Sequence, residues 1–151
     1  MANGFRLKWT IEGVPELGRI LQLKHKQLSD FKEPLFKSAT MITDDVETQF
    51  RTEGGLSGGW QELADATVAG RLRAGYGGEH PILQKTGALK KSFYKRVDSR
   101  RAFISSTSPY FGFHQSRKSR TTKLPRRPML LLTERTRQNI VEEFHKFLRF
   151  K

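Results

Sequence analysis

A long amphipathic helix is the most clearly patterned part of this 151-residue chain. From about Glu33 to Arg51, apolar side chains recur at steps of four, three, four and four residues, which places them on one narrow face of a helix. These residues are Leu35, Ala39, Ile42, Val46 and Phe50. The other faces are polar or charged, so the fold has to bury this stripe against a sheet or a second helix. A coiled-coil seam is not favoured, because it needs more heptads than the stripe provides.

A glycine-rich segment ends this helix. The sequence EGGLSGGW holds Gly54, Gly55, Gly58 and Gly59, and glycines at this density predict a loop. The loop is not a phosphate-binding loop, because it lacks the Gly-Lys-Ser/Thr ending and the strand-to-helix context of that motif.

The N-terminal segment combines a strand pattern with a helix pattern. Apolar and polar residues alternate from Phe5 to Glu12, as in a half-buried strand. Between Pro15 and about Ser29 the apolar spacing becomes helical, and proline is well suited to a first helical turn. We therefore predict a strand followed by a helix.

Shorter patterns occupy the middle of the chain. Trp60 opens a predicted short helical segment that reaches Arg73, and the sequence ILQKTGALKKSF, residues 82–93, predicts a short helix leading into a strand. The segments FYKRV and RAFISST flank Asp98-Ser99, which predicts a tight turn between two antiparallel strands.

The C-terminal part completes the predicted fold. The apolar run from Pro128 to Thr133 predicts a buried strand, and Thr133 is a suitable N-cap for a last helix from about Glu134 to Arg149. The prediction is one α+β domain over residues 1–151, with a small, mostly antiparallel sheet of about four strands packed with three helices. A basic loop, residues 116–127, is expected to project from it.

Positive charge is concentrated in one part of the sequence. The segment from Lys85 to Arg127 holds thirteen Lys and Arg residues and one acid, Asp98, so it carries +12 of the net charge of +13. Such an uneven distribution favours an anionic partner, either a phosphate backbone or an acidic protein surface. A solvated basic face that keeps the protein soluble is the simpler interpretation.

The residue types needed for catalysis or metal binding do not cluster in the sequence. There is no cysteine, so thiolate chemistry, disulfides and cysteine-based metal sites are excluded. The four histidines lie far apart, and none is paired at a metal-ligand spacing. His114 is the best placed for general-base chemistry, but a packed or hydrogen-bonding histidine is the favoured interpretation. No enzyme activity, cofactor or metal is predicted, and no stretch has the length and apolarity of a signal peptide or a membrane span.

An aromatic cluster continues into a basic segment in YFGFHQSRKSRTTKLPRRP, residues 110–128. Aromatic and cationic side chains together are typical of single-strand nucleic-acid binding, although no established nucleic-acid-binding motif is present. For Tyr110 and Phe113, which are three residues apart, burial in the core on one face of a helical turn is favoured. The basic residues are predicted to contact DNA or a partner protein. They are Arg117, Lys118, Arg120, Lys123, Arg126 and Arg127.

The order of several short motifs resembles the phage virion morphogenesis and tail completion family, which includes the G protein of Mu-like phages and the S protein of P2-like phages. The motifs are Gly59-Trp60 with Leu63, Thr67 and Arg71, then LQKTGAL, then YFGFHQ, then PRRPML. The resemblance covers about Phe36 to Phe147 and implies a structural role for the motif residues. These are Trp60, Thr86, Gly87, Leu89, Tyr110, His114, Gln115 and Pro128.

The resemblance also implies a function. It implies a non-enzymatic virion protein of the head–tail junction, assembled in the host cytoplasm, that forms a ring around the DNA path, with six-fold symmetry favoured. Expected partners are neck, connector and tail-tube proteins, with non-specific contact to packaged DNA and no membrane contact. Family members have a shorter connection after the His-Gln pair, so the role of SRKSRTTK is specific to this chain. A small basic nucleic-acid-binding module is the alternative.

Overall fold

The computed structural model describes residues 14–116 and 124–149. Within these ranges the fold is α+β and contains six α-helices and one β-hairpin. The helices are α1 (Val14–Ser29), α2 (Lys32–Arg51), α3 (Asp65–Arg73), α4 (Ala88–Lys91), α5 (Phe111–Gln115) and α6 (Glu134–Leu148). The strands are β1 (Phe93–Val97) and β2 (Ala102–Ser106), and a short 3-10 turn covers Gly55–Ser57. No helix in the described ranges has the length and apolarity to cross a membrane.

Helix α2 is the central element, as its apolar stripe predicts. Ala39, Val46 and Phe50 on this stripe are buried, and both α6 and the hairpin pack against α2. The helix ends at Arg51, and three residues later the backbone of Gly54 is left-handed with φ +93° and its N–H donates to the Gln49 carbonyl at 2.8 Å. A Cβ atom at Gly54 would lie 2.6 Å from the Trp60 backbone nitrogen, so only glycine allows the loop to return Trp60 to the core.

The hairpin prediction is confirmed. Strands β1 and β2 are antiparallel, with Lys95 opposite Ile104 and Arg96 opposite Phe103. Asp98 closes the turn, because its Oδ1 accepts the N–H groups of Arg100 and Arg101, each at 2.8 Å. These N–H groups, that of Arg100 above all, lower the pKa of the Asp98 carboxyl.

The described residues contain a two-stranded sheet, so they do not show the predicted sheet of about four strands. The predicted strand from Phe5 to Glu12 lies outside those residues. The run from Pro128 to Thr133 has no regular secondary structure and joins no sheet in the described part of the chain. Its backbone is bonded to side chains instead of to another strand, as described below. The described ranges contain six helices rather than three, and α3 and α4 lie in the two segments for which short helices were predicted.

A chain of aromatic rings joins the core to α5. Phe50 meets Trp60 and Phe93 edge to face, with ring centroids 5.5 and 5.9 Å apart, and Phe93 meets Phe111 in the same way at 5.4 Å. The prediction of Tyr110 and Phe113 as core residues is wrong, because their side chains are 67% and 43% exposed. The turn of α5 directs the intervening Phe111 inward instead.

The two ends of the described chain are packed differently. Thr133 caps α6 as predicted, since its Oγ1 accepts the Thr136 N–H at 3.0 Å. Helix α1 has no extensive contact with the other described elements. Its apolar face is exposed, with four large side chains at least 40% accessible to solvent. They are Ile20, Leu21, Leu23 and Leu28.

Candidate functional site

A large groove lies beside the core, between residues 61–71, 83–92, 107–114 and 124–127. Its volume is about 1380 Å³. Apolar side chains, including those of Leu63, Leu83 and Leu89, line much of it. The size and lining are those of a binding site for a chain segment or a large ligand rather than a packing defect.

The separate sequence motifs meet at this groove. The residues that carry the family resemblance are dispersed over almost half of the chain, yet twelve of them line this groove. They are Leu63, Thr67, Arg71, Leu83, Lys85, Thr86, Ala88, Leu89, Tyr110, His114, Pro125 and Arg127. The groove is therefore the candidate functional site.

Gln115, at the end of α5, fastens one wall of the groove. Its side-chain Oε1 accepts the backbone N–H groups of Met129 and Leu130, each at 3.0 Å, and its Nε2 donates to the Leu130 carbonyl. One amide side chain thus replaces three bonds that a neighbouring strand would make. These bonds satisfy the backbone of residues 129 and 130 without a neighbouring strand.

The same segment is held from its other side by α2 and Trp60. The Pro128 carbonyl accepts two hydrogen bonds, from Gln49 Nε2 at 2.8 Å and from Trp60 Nε1 at 3.0 Å. The Arg127 N–H donates to the His114 carbonyl at 3.0 Å. We call these bonds, together with those of Gln115, the clasp. Trp60, Gln115 and Pro128 therefore lie together in the fold.

Arg127 is buried in this wall, with 4% of its surface exposed. Its guanidinium donates from Nε to the Gln61 carbonyl and from Nη2 to the Glu62 carbonyl, each at 2.8 Å. Burial lowers its pKa. Because the side chain points into the fold and holds the segment before α3, we leave Arg127 out of the predicted contact surface.

Arg71 is a second buried cation in the groove wall, with 5% of its surface exposed. Its Nη2 donates to the Pro81 carbonyl at 3.1 Å, while Nε has no hydrogen-bond partner among the described residues. Arg71 belongs to one of the sequence motifs, but its burial was not predicted from the sequence. The helical spacing of α3 does not reveal which of its arginines is buried.

His114 is also buried in the wall of the groove. Its ring is hydrogen-bonded to the Pro125 carbonyl, and its Nδ1 has no partner in the part of the chain that the structure describes. Burial, and then the charge of Arg127, lower its pKa, so the ring is neutral at pH 7. Glu62 is the only acidic residue among the described ones that line the groove.

Thr86 and Gly87 shape the opposite wall. The backbone of Gly87 is left-handed with φ +71°, and the Thr86 Oγ1 accepts the Ala88 N–H at 3.4 Å. This turn starts α4 and directs Leu89 toward the core cluster. Residues 14–116 and 124–149 contain no His, Asp and Glu cluster that could hold a metal ion.

The predicted contact cations divide into three groups. Arg117, Lys118, Arg120 and Lys123 lie outside the described residues. Arg126 is exposed beside the groove, whereas Arg127 is buried.

A second basic surface was missed by sequence analysis. The outer face of the hairpin exposes Tyr94, Arg96 and Phe103, and the Arg101 guanidinium lies 5.9 Å from the centre of the Phe103 ring. The alternation within FYKRV and AFISS indicates this face, because residues opposite each other in the register share a side of the sheet.

The described residues thus form a small α+β fold with one candidate binding groove. The chain matches the model of the phage virion morphogenesis family over residues 15–149, and it belongs to that family. It therefore has a structural or assembly role in a bacteriophage virion. No curated protein and no solved structure gives a significant match.

Proposed function

We propose that this protein is a ring-forming subunit of the phage head–tail junction, which completes the tail or neck so that filled heads can join. The convergence of the family's motif residues on one groove carries the proposal. The clasp holds one wall of this groove in place by hydrogen bonds, and a preorganised surface favours docking because little conformational entropy is lost on binding. Membership of a virion assembly family supports the same function.

The exposed face of α1 supports self-association. Four large apolar side chains on one helix are a surface that a neighbouring copy would bury, and a contact between unlike patches closes into a ring when the rotation is suitable. We propose α1 as a subunit contact. We also propose the terminal helix α6 and the glycine loop, residues 54–59, as subunit contacts, with six-fold symmetry as the favoured arrangement.

The exposed cations give such a ring an electrostatic role. We propose that the basic loop contacts packaged DNA or an acidic surface of a neck, connector or tail-tube protein. The proposed contact residues are Arg117, Lys118, Arg120, Lys123 and Arg126. Either partner would be attracted by the charge of the Lys85 to Arg127 segment.

Electron imaging of the purified protein, alone and mixed with tails that lack it, tests the proposal. Rings, or a new layer at the tail end, are the expected result. Leu21→Glu should abolish them because it places a charge in the exposed apolar face of α1. The neighbouring and also exposed Gln22→Glu is the matched control. Dispersed monomers that leave the tails unchanged would overturn the proposal.

A small basic nucleic-acid-binding module is the second candidate function. The outer face of the hairpin favours it, because exposed aromatic rings and arginines together suit base stacking and phosphate contact. This candidate predicts that a monomer binds DNA with an affinity that falls steeply with salt. Analytical ultracentrifugation of the DNA complex separates the two candidates by the number of protein copies.

A further inference from the structure

The groove wall carries positive charge that the described residues do not neutralise. Arg71 and Arg127 have 5% and 4% of their surface exposed, and among the described residues their guanidinium groups donate to backbone carbonyls only. No carboxylate in the described ranges forms an ion pair with either residue. A buried charge without a counter-charge is costly, so the wall favours an anionic group beside it.

The remaining segments of the chain are poor sources of that anion. Residues 1–13, 117–123 and 150–151 contain a single acidic residue, Glu12, and seven Lys or Arg residues. Their net charge has the same sign as that of the groove wall, so electrostatics disfavours their insertion. The complementary charge is therefore expected from another molecule.

The rest of the groove defines the chemistry of the ligand further. The apolar side chains that line much of it, such as Leu63 and Leu89, have no counterpart in a sugar-phosphate backbone. Nδ1 of His114 and Nε of Arg71, buried and without a hydrogen-bond partner in the described ranges, are respectively an acceptor and a donor in the same wall. A peptide segment offers apolar side chains, carboxylates and backbone amides together, whereas DNA contacts require several exposed cations, and Lys85 is the only exposed one among the described groove residues.

We propose that the groove binds an extended segment of a neighbouring neck protein in which carboxylate side chains are flanked by aliphatic ones. The partner's identity rests on the proposed function, whereas the chemistry of the ligand rests on the groove itself. In the bound state the aliphatic side chains cover the leucines of the groove, and the carboxylates lie near the buried guanidinium groups. The basic loop is then free to contact a different surface.

A labelled synthetic peptide of alternating leucine and aspartate, about eight residues long, is the probe, and a leucine–lysine peptide is its counterpart. Fluorescence anisotropy should show binding of the aspartate peptide only. Ala88→Glu places a carboxylate at an exposed position that lines the groove and should weaken binding about tenfold or more by like-charge repulsion. The control is Ala66→Glu, which is exposed on α3 but lies outside the groove lining and should bind like the wild type.

Three results would overturn the inference: absent binding of the aspartate peptide, equal binding of the lysine peptide, or equal loss in the two glutamate variants. Displacement of the peptide by duplex DNA would assign the groove to nucleic acid, and loss of self-association in Ala88→Glu alone would assign it to a second copy. Ring imaging is independent of these outcomes. If rings form but the peptide does not bind, only the inference about the groove is contradicted. If a monomer binds the peptide and leaves tails unchanged, only the head–tail junction proposal is contradicted.

Discussion

The groove wall and the outer face of the hairpin contain the same residue types in opposite surroundings. In the wall, Arg71 and Arg127 are buried and bind backbone carbonyls. On the hairpin, Arg96 and Arg101 are exposed beside Phe103. The positive charges between Lys85 and Arg127 therefore do not all have the same role. Part of it stabilises the fold, and part of it faces solvent where a partner can reach it.

This difference gives the two regions different responses to substitution. Loss of a clasp side chain leaves buried backbone groups without partners, which lowers the free energy of unfolding. Loss of an exposed cation changes association but little else. The expected effects below run from the largest change in stability to the smallest.

Gln115→Leu should have the largest effect. It removes the partners of the Met129 and Leu130 N–H groups and of the Leu130 carbonyl, and Met129 is fully buried. We expect the free energy of unfolding to fall by about 3 kcal/mol. Urea denaturation at equilibrium measures it. Gln138→Leu, at an exposed glutamine of α6, is the control, and equal losses in the two variants would contradict a clasp.

Arg127→Met should cost about 2 kcal/mol. The variant leaves the Gln61 and Glu62 carbonyls unbonded, but these residues are exposed, so water reaches part of that backbone. Removal of a desolvated charge offsets some of the loss. Arg126→Met is the adjacent control, for which a change below about 0.5 kcal/mol is expected because Arg126 is exposed. If the free energy of unfolding falls more for Arg126→Met than for Arg127→Met, the structural role assigned to Arg127 is contradicted.

Local sequence patterns predicted the long helices and the hairpin, but they did not predict the clasp. The stripe of α2, the cap at Thr133 and the Asp98 turn depend on residues close in sequence, so periodicity and turn chemistry predict them. Gln115 bonds to residues fourteen and fifteen positions away, and hydropathy carries no information about such a bond. For that reason the apolar run from Pro128 to Thr133 resembled a strand although side chains hold it.

The groove was predictable only in part. Its motif residues were singled out, but their convergence depends on how four separate segments fold together. The prediction of Tyr110 and Phe113 as core residues failed because a five-residue helix directs only some of its side chains inward, and spacing alone does not decide which. Sequence spacing likewise does not decide that Arg127 is buried while the adjacent Arg126 is exposed.

His114 should make stability depend on pH. Burial lowers its pKa below the ordinary 6.5, so the unfolded chain binds the proton more readily than the folded protein. The stabilisation is complete above that ordinary value and decreases as the pH falls below it. His114→Gln should flatten the dependence between about pH 5 and pH 7, measured by urea denaturation. The other three histidines remain in both proteins, so an unchanged dependence would assign it to them.

The hairpin should show the smallest change in stability and a change in association instead. Arg96→Gln combined with Arg101→Gln removes two exposed cations, so each substitution should alter the free energy of unfolding by less than about 0.5 kcal/mol. If this face contacts phosphates, the slope of log affinity for duplex DNA against log salt falls by about two, because each lost contact removes about 0.9. Anisotropy titrations between about 50 and 200 mM salt measure the slope.

The matched control is Lys26→Gln combined with Arg135→Gln, which removes two exposed cations from α1 and α6. Both double variants have the same net charge, so a general effect of charge would lower both slopes alike. A slope that falls only in the hairpin variant places a DNA contact on the outer face of the sheet. Equal slopes would leave the exposed aromatic and basic face for contact with protein, where Tyr, Phe and Arg are the residues enriched in the core of interfaces.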